Sequence, residues 1–147
     1  MGALRVKLER TVTVDIPIAR AFAYLTDFTT TTEWDPGTVT TVRCDGDGGV
    51  GTTYLNTSKF LGRETSLTYV VEELVTDERI RLRGENETVI SVDTMTFRRN
   101  GSRTSVTYAA EFTFKGASRW LAPLLKPAFV RLGNQAESGL RSALARL

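Results

Sequence analysis

The sequence predicts an α+β fold: one strongly curved antiparallel sheet of seven strands wrapped around a long C-terminal helix, with two short helices after the first strand. Three observations carry this. Apolar residues from Trp120 to Leu147 recur at steps of three and four, a helical stripe about eight turns long. Between residues 38 and 115 the pattern is strand after strand, broken by short turn signals, and such short connections imply antiparallel neighbours. A lone stripe of that length must lie against something, and a sheet is the only partner the chain offers.

In chain order, the first strand spans Val6 to Asp15. Val6, Leu8, Val12 and Val14 share one face, with Arg10 the exception on it, and charged or hydroxyl side chains share the other. Asp15-Ile16-Pro17 then starts a helix, because proline suits a first turn and an acid is favourable near an N-terminus. Ile18, Phe22 and Leu25 give that helix a short buried face. A second short helix is expected at Thr32–Trp34, ended by Asp35-Pro36-Gly37. Strands follow at about 38–44, 50–60, 64–75, 79–85, 88–98 and 103–115, with turns at Asp45–Gly49, Thr76–Glu78 and Asn100–Ser102. Pro123 and Pro127 would disturb a helix interior, so residues 117–126 should form a bent or separate first turn. The regular helix then runs to the C-terminus.

Composition narrows the function. A chain of 147 residues is long enough for one domain with its own core. There is no histidine and one cysteine, Cys44. That removes the commonest general base and the usual nucleophile pairs, and leaves no expected metal or cofactor site. No apolar run approaches the roughly 18 residues of a membrane span, and MGALRVKLER lacks a signal-peptide core. With a lone thiol these point to the cytoplasm. The net charge of +2 is too small to argue for nucleic acid, yet it is uneven. Residues 115–147 hold six basic side chains against Glu137 alone, either a solvated helix face or a surface for an acidic partner or anionic lipid.

Two motif matches carry no function. Gly46-Asp47-Gly48-Gly49-Val50-Gly51 satisfies G-x-G-x-x-G, but Thr-Thr-Tyr-Leu-Asn-Thr follows it and favours strand. Without a helix N-terminus there is no site for pyrophosphate. Asp45 and Asp47 lack the remaining acids of a calcium loop.

The stretch from Val14 to Phe28 (VDIPIARAFAYLTDF), the Trp34-Asp35-Pro36-Gly37 segment, Val70 to Leu74 with Arg79 to Leu82, and Gly101 to Tyr108 together resemble the polyketide cyclase/dehydrase-type branch of the START/Bet v 1-like superfamily. The resemblance covers essentially the whole chain. It implies a helix-grip fold with an elongated cavity between the sheet and the last helix.

Strand alternation indicates what would line such a cavity. Val106, Tyr108, Ala110, Phe112 and Phe114 share the inner face of the last strand; Asp93, Met95 and Phe97, with Val89 and Ser91, share that of the strand before it. Leu67, Tyr69 and Val71, then Ile80 and Leu82, face the same way, as do Tyr54 and Asn56. From the terminal helix Leu121, Leu124, Leu125, Ala128 and Leu132 would face these side chains, with Phe129 at the stripe's edge. Trp34 stands where the short helices meet the mouth, as a lid aromatic or a packing anchor. The candidate ligand-binding set is therefore Trp34, Tyr54, Asn56, Tyr69, Asp93, Met95, Phe97, Tyr108, Phe112, Leu121, Leu125 and Phe129.

An apolar lining with isolated polar anchors suits a hydrophobic small molecule, held as cargo or signal. Asp93 and Tyr108 are the candidates for chemistry. A buried Asp93 would have a raised pKa and could enolise a ketone, with a tyrosine donating to the oxyanion; an Asp93 facing water would do neither. The resemblance adds a cyclase, aromatase or dehydratase as the alternative. A regulatory protein binding an acidic partner through the basic helix is a third reading.

Overall fold

The computed structural model describes residues 4–147, with the side chains of residues 4, 117–119, 121 and 122 outside the description. Strand β1 (Leu4–Val14) is followed by helix α1 (Ile18–Leu25), a 3-10 turn at Phe28–Thr30 and helix α2 (Thr31–Trp34). Six strands come next: β2 (Thr38–Asp45), β3 (Thr53–Phe60), β4 (Arg63–Val75), β5 (Arg79–Glu85), β6 (Val89–Asn100) and β7 (Arg103–Phe114). A 3-10 segment, Gly116–Leu125, leads into helix α3 (Lys126–Ala145). All strand pairs are antiparallel, in the order β1-β7-β6-β5-β4-β3-β2. This is the helix-grip arrangement.

Each β2-to-β7 neighbour is reached by a short hairpin, and β1 completes the sheet by pairing with β7 from Leu4↔Phe114 to Val14↔Thr104. The β3–β4 hairpin closes on Leu61 and Gly62, both at positive φ, the geometry that lets a two-residue loop match strand twist. Leu-Gly is not a usual signal for that turn, which is why it escapes a reading by composition. Register shifts in β2 and in β4 between Val71 and Glu73 bend the sheet, since an extra residue on one strand raises local twist. The Gly46–Gly51 run joins β2 to β3, so it leads into a strand.

Helix α3 lies along β1 and under α2. Ala136, Leu140, Ala143 and Leu144 are buried on its inner face, and burial of the two leucines contributes roughly 1.5–3 kcal/mol each. Gly139 sets how closely α2 can cover it: a Cβ there would stand 1.7 Å from the Trp34 carbonyl oxygen. The helical stripe is shorter than its sequence pattern. Leu124 is 77% exposed and Trp120 60% exposed, against the expectation that they face inward. The reason is the 3-10 rise: three residues per turn rotate these positions off the line that the α-helical part follows. Phe129, expected at the stripe's edge, is buried.

Arg10, the one charge on the inner parity of β1, is accommodated at the flank of α3. Its guanidinium donates to Asn134 Oδ1 at 3.1 Å and lies 3.6 Å from Glu137. The outer sheet face carries ion pairs: Arg81 of β5 with Glu72 and Glu73 of β4, Arg83 with Glu85 along β5, and Lys115, just after β7, with Glu85.

Candidate functional site

Between the sheet and the N-terminal half of α3 lies a cavity of about 220 Å³. Alternation puts β-strand side chains into it from β3, β4, β6 and β7, and α3 closes it with Leu132, Gly133 and Ala136. Its two ends differ in chemistry.

The apolar end is an aromatic group centred on Phe129. Phe60 stacks on that ring at a centroid distance of 4.9 Å, Phe112 tilts against it at 5.0 Å, and Phe114 meets it edge-on at 5.8 Å. Leu8, Leu125 and Leu132 complete the wall.

The polar end is built on Asp93, in the middle of β6 and 7% exposed. Ser91 donates to its Oδ1 at 2.6 Å and the Tyr108 hydroxyl to its Oδ2 at 2.9 Å. Ser91 and Asp93 are two residues apart and so share a face, and Tyr108 reaches across from β7. The Tyr69 hydroxyl lies close enough to Ser91 and Asp93 to interact with both. Gly84 makes room for it: a Cβ on β5 at that point would lie 2.6 Å from the Tyr69 ring. Burial pushes the Asp93 carboxyl up to about 6, against the Ser91 and Tyr108 hydroxyls and the nearby Tyr69 hydroxyl, which favour its charged form. Burial and then the charge of Asp93 hold Tyr69 and Tyr108 well above the usual phenol range. Asp93 is therefore mostly ionised at neutral pH and within reach of protonation just below it.

A second carboxylate belongs to this end. Asp35 follows α2 in the turn Asp35-Pro36-Gly37-Thr38, where its Oδ1 accepts from Gly37 N–H at 3.1 Å and its Oδ2 from the Thr38 hydroxyl at 3.0 Å. It lines the cavity. Burial raises its pKa, those two donors oppose the rise, and its charge raises Asp93 in turn. Sequence reasoning treats Asp35 only as a helix stop; its place beside Trp34 in the mouth segment is the one signal that marks it.

A hydroxyl-amide chain forms the neighbouring wall. Asn56 Nδ2 donates to Thr41 Oγ1 at 2.8 Å, and Thr41 and Thr31 are linked at 2.6 Å. Thr31 gives its proton to the Phe28 carbonyl, so Thr41 is the donor of that pair. Ser58 donates to Asn56 Oδ1.

Of the residues singled out from sequence, Trp34, Asn56, Tyr69, Asp93, Tyr108, Phe112, Leu125 and Phe129 line this cavity together. Asp93 is buried rather than turned to water. Trp34 is packed as part of the wall, edge-on to Tyr108 at 5.5 Å, and its Nε1 has no hydrogen-bond partner. Tyr54, Met95 and Phe97 do not line the cavity: each is buried in the solid core, Phe97 against Phe22 and Tyr54 against Phe28. Alternation points them inward correctly, but α1 fills the space in front of Phe97. The side chain of Leu121 lies outside the described residues. Phe28, Phe60, Phe114 and Leu132 join the lining from positions outside the candidate set.

On the basic helix, Arg141 pairs with Glu137, while Lys126, Arg131 and Arg146 are exposed. Among the described residues no group of three or more acids and cysteines is placed to hold a metal. No described helix is long and apolar enough to cross a membrane.

Comparison with curated proteins finds no match. Among solved structures, the chain is similar to the Zhui aromatase/cyclase from Streptomyces sp. R1128, at TM-score 0.81 and 15% identity over 97% of this chain and 95% of that one. It is also similar to a START superfamily protein from Mycobacterium smegmatis, at TM-score 0.77 and 12% identity over 95% and 97% of the two chains. At such identities the likeness is one of fold. A family model described as polyketide cyclase / dehydrase and lipid transport matches residues 5–147, and the chain belongs to that family.

Proposed function

We propose that this protein binds a hydrophobic small molecule, lipid or polyketide-like, in the cavity between sheet and α3, as a carrier or sensor. The observation that carries this reading is the division of the cavity wall. A run of phenylalanines and leucines offers apolar contact to a ligand body, and Asp93, Asn56 and the tyrosine hydroxyls offer one end a small number of directional partners. Native mass spectrometry of the purified protein, with extraction of whatever copurifies, should find a bound small molecule. The neutral dye N-phenyl-1-naphthylamine should bind with a Kd on the order of micromolar. Ala136→Phe, which fills the cavity from α3, should abolish dye binding. An empty protein with no affinity for the dye overturns the reading.

One observation favours a second reading, an enzyme of the cyclase, aromatase or dehydratase type. A carboxylate with a pKa of about 6 is well matched to general base work near neutrality. The Asp93 carboxylate would take a proton α to a ketone, and the resulting enolate oxygen would accept from a tyrosine hydroxyl. Turnover of a ketone substrate that is unchanged in Asp93→Asn overturns this.

A further inference from the structure

The apolar wall of the cavity sets no head group for a ligand, and the polar end narrows the choice. Four aromatic rings and two carboxylates meet there. Phe28 lies against Tyr69 at 4.9 Å and Trp34 against Tyr108 at 5.5 Å; Asp93 is bonded to Tyr108, and Asp35 follows Trp34 directly. All six line the same cavity.

The charge balance of that end is one-sided. Among the described lining residues the charged ones are Asp35, Asp93 and Lys59, and Lys59 is exposed, on the outward parity of β3. Arg10 stands opposite Tyr108 across the β1–β7 pair, but its guanidinium is turned to Asn134 and Glu137 of α3. Asp93 is faced by Ser91 on its own strand, Tyr108 on β7, Tyr69 on β4, Leu82 on β5 and Asp35 from the α2–β2 turn. Helix α3 contributes Gly133 and Ala136, neither of which titrates. No described group facing Asp93 supplies a positive charge.

A carboxylate kept from water without a countercharge is costly, and its attraction for a cation grows as water is excluded; this applies to buried Asp93 in full and to half-buried Asp35 in part. An anionic head group would add a third negative charge, and a neutral one would leave both carboxylates uncompensated. An ammonium gains charge-assisted hydrogen bonds to the carboxylates and the faces of the surrounding rings.

We propose that this end of the cavity takes a basic nitrogen, so that the ligand is a hydrophobic amine: its ammonium sits between Asp35 and Asp93 within the Phe28, Trp34, Tyr69 and Tyr108 rings, and its apolar body runs toward Phe129. This rests on the cavity being a ligand site and adds the class of head group.

The test is a calorimetric titration of the purified chain with phenylpropylamine, phenylpropanol and phenylpropanoate, which share one body and differ in head group. The amine should bind at least about tenfold more tightly than the alcohol near pH 7.5, and the acid most weakly. Lowering the pH through about 6 protonates Asp93 and should remove most of the amine's advantage while leaving the alcohol unchanged. Asp93→Asn should do the same at neutral pH; Asp35→Asn, on a turn, is the second variant should the first fail to fold. Equal binding of the three probes, preference for the alcohol or acid, or an amine preference that survives both substitutions overturns the amine assignment while the cavity reading stands. Failure of all three probes while N-phenyl-1-naphthylamine still binds overturns it as well. Failure of the dye together with the probes takes down the cavity reading and this inference at once.

Discussion

The two ends of the space between sheet and α3 share one sequence pattern and have opposite outcomes. At the end covered by α1 and the last turns of α3, Val12, Ile80, Val106, Leu140 and Leu144 are almost completely buried and the interior is solid. At the other end Phe60, Phe112, Phe114, Leu125 and Leu132 are only partly buried around Phe129, and a cavity remains. Both ends alternate with period two, although Asn56, Ser58 and Asp93 interrupt the apolar inward set beside the cavity. The difference lies in what covers them. The first end has an eight-residue helix, α1, placed on it by the Asp15-Ile16-Pro17 start, whereas the second is covered by the first turns of α3 and the 3-10 segment that carries Pro123, with no helix like α1 over it. Packing quality is thus a property of the covering element and not of the sheet face beneath it.

Substitutions can break that comparison. The largest effect is expected at the solid end: Leu140→Ala should cost about 2–5 kcal/mol, because a fully buried leucine leaves a hole its neighbours cannot fill. Leu132→Ala at the open end should cost less than half as much, since its surroundings already contain space. Urea unfolding of both variants decides the matter, and equal losses would mean that the two ends are packed alike.

Asp93 sharpens the comparison electrostatically. Its folded pKa lies above the ordinary aspartate value, so the folded state binds the proton more tightly than the unfolded one. Its contribution is therefore most favourable below about pH 4 and falls as the pH rises through about 6, by an amount of up to roughly 3 kcal/mol. Asp93→Asn should be more stable than the parent at pH 7, and its stability should fall less between pH 4 and 6; Asp35, raised in the same direction, leaves a residual slope. Thermal melts across that pH range test the sign. A stability that rises with pH in the parent and not in the variant would contradict it.

The smallest change is expected at the approach to the open end. Leu124→Ser should alter stability by no more than about 0.5 kcal/mol, because its side chain is mostly in water. A loss of several times that, read from the same urea curves, would place Leu124 against the cavity after all.

Much of the fold is legible in the sequence for a local reason. Period two and period three-to-four patterns report which way a side chain points, and that suffices for the strands, the order of elements and the inward placement of Asp93, Tyr108 and Tyr69. Depth is not encoded locally. Phe97 and Phe112 have the same parity and similar neighbours, yet one meets Phe22 of α1 and the other a cavity. Asp35 is legible as a turn former, because its carboxylate caps Gly37 and Thr38. Its partnership with Asp93 arises only when the α2–β2 turn is folded back over the sheet.

By itself, then, the sequence determined the helix-grip topology, the inner face of each strand and the separation of the last helix from a proline-containing approach. Local dihedral preference and apolar alternation act over a few residues and are sufficient for these. Tertiary structure alone decided that α3 leaves space at its N-terminal half, that two carboxylates share that space, and that Leu124 stays outside it. Those outcomes depend on how near a helix can approach a curved sheet, which is set by contacts such as Gly139 under Trp34 between residues far apart in the chain.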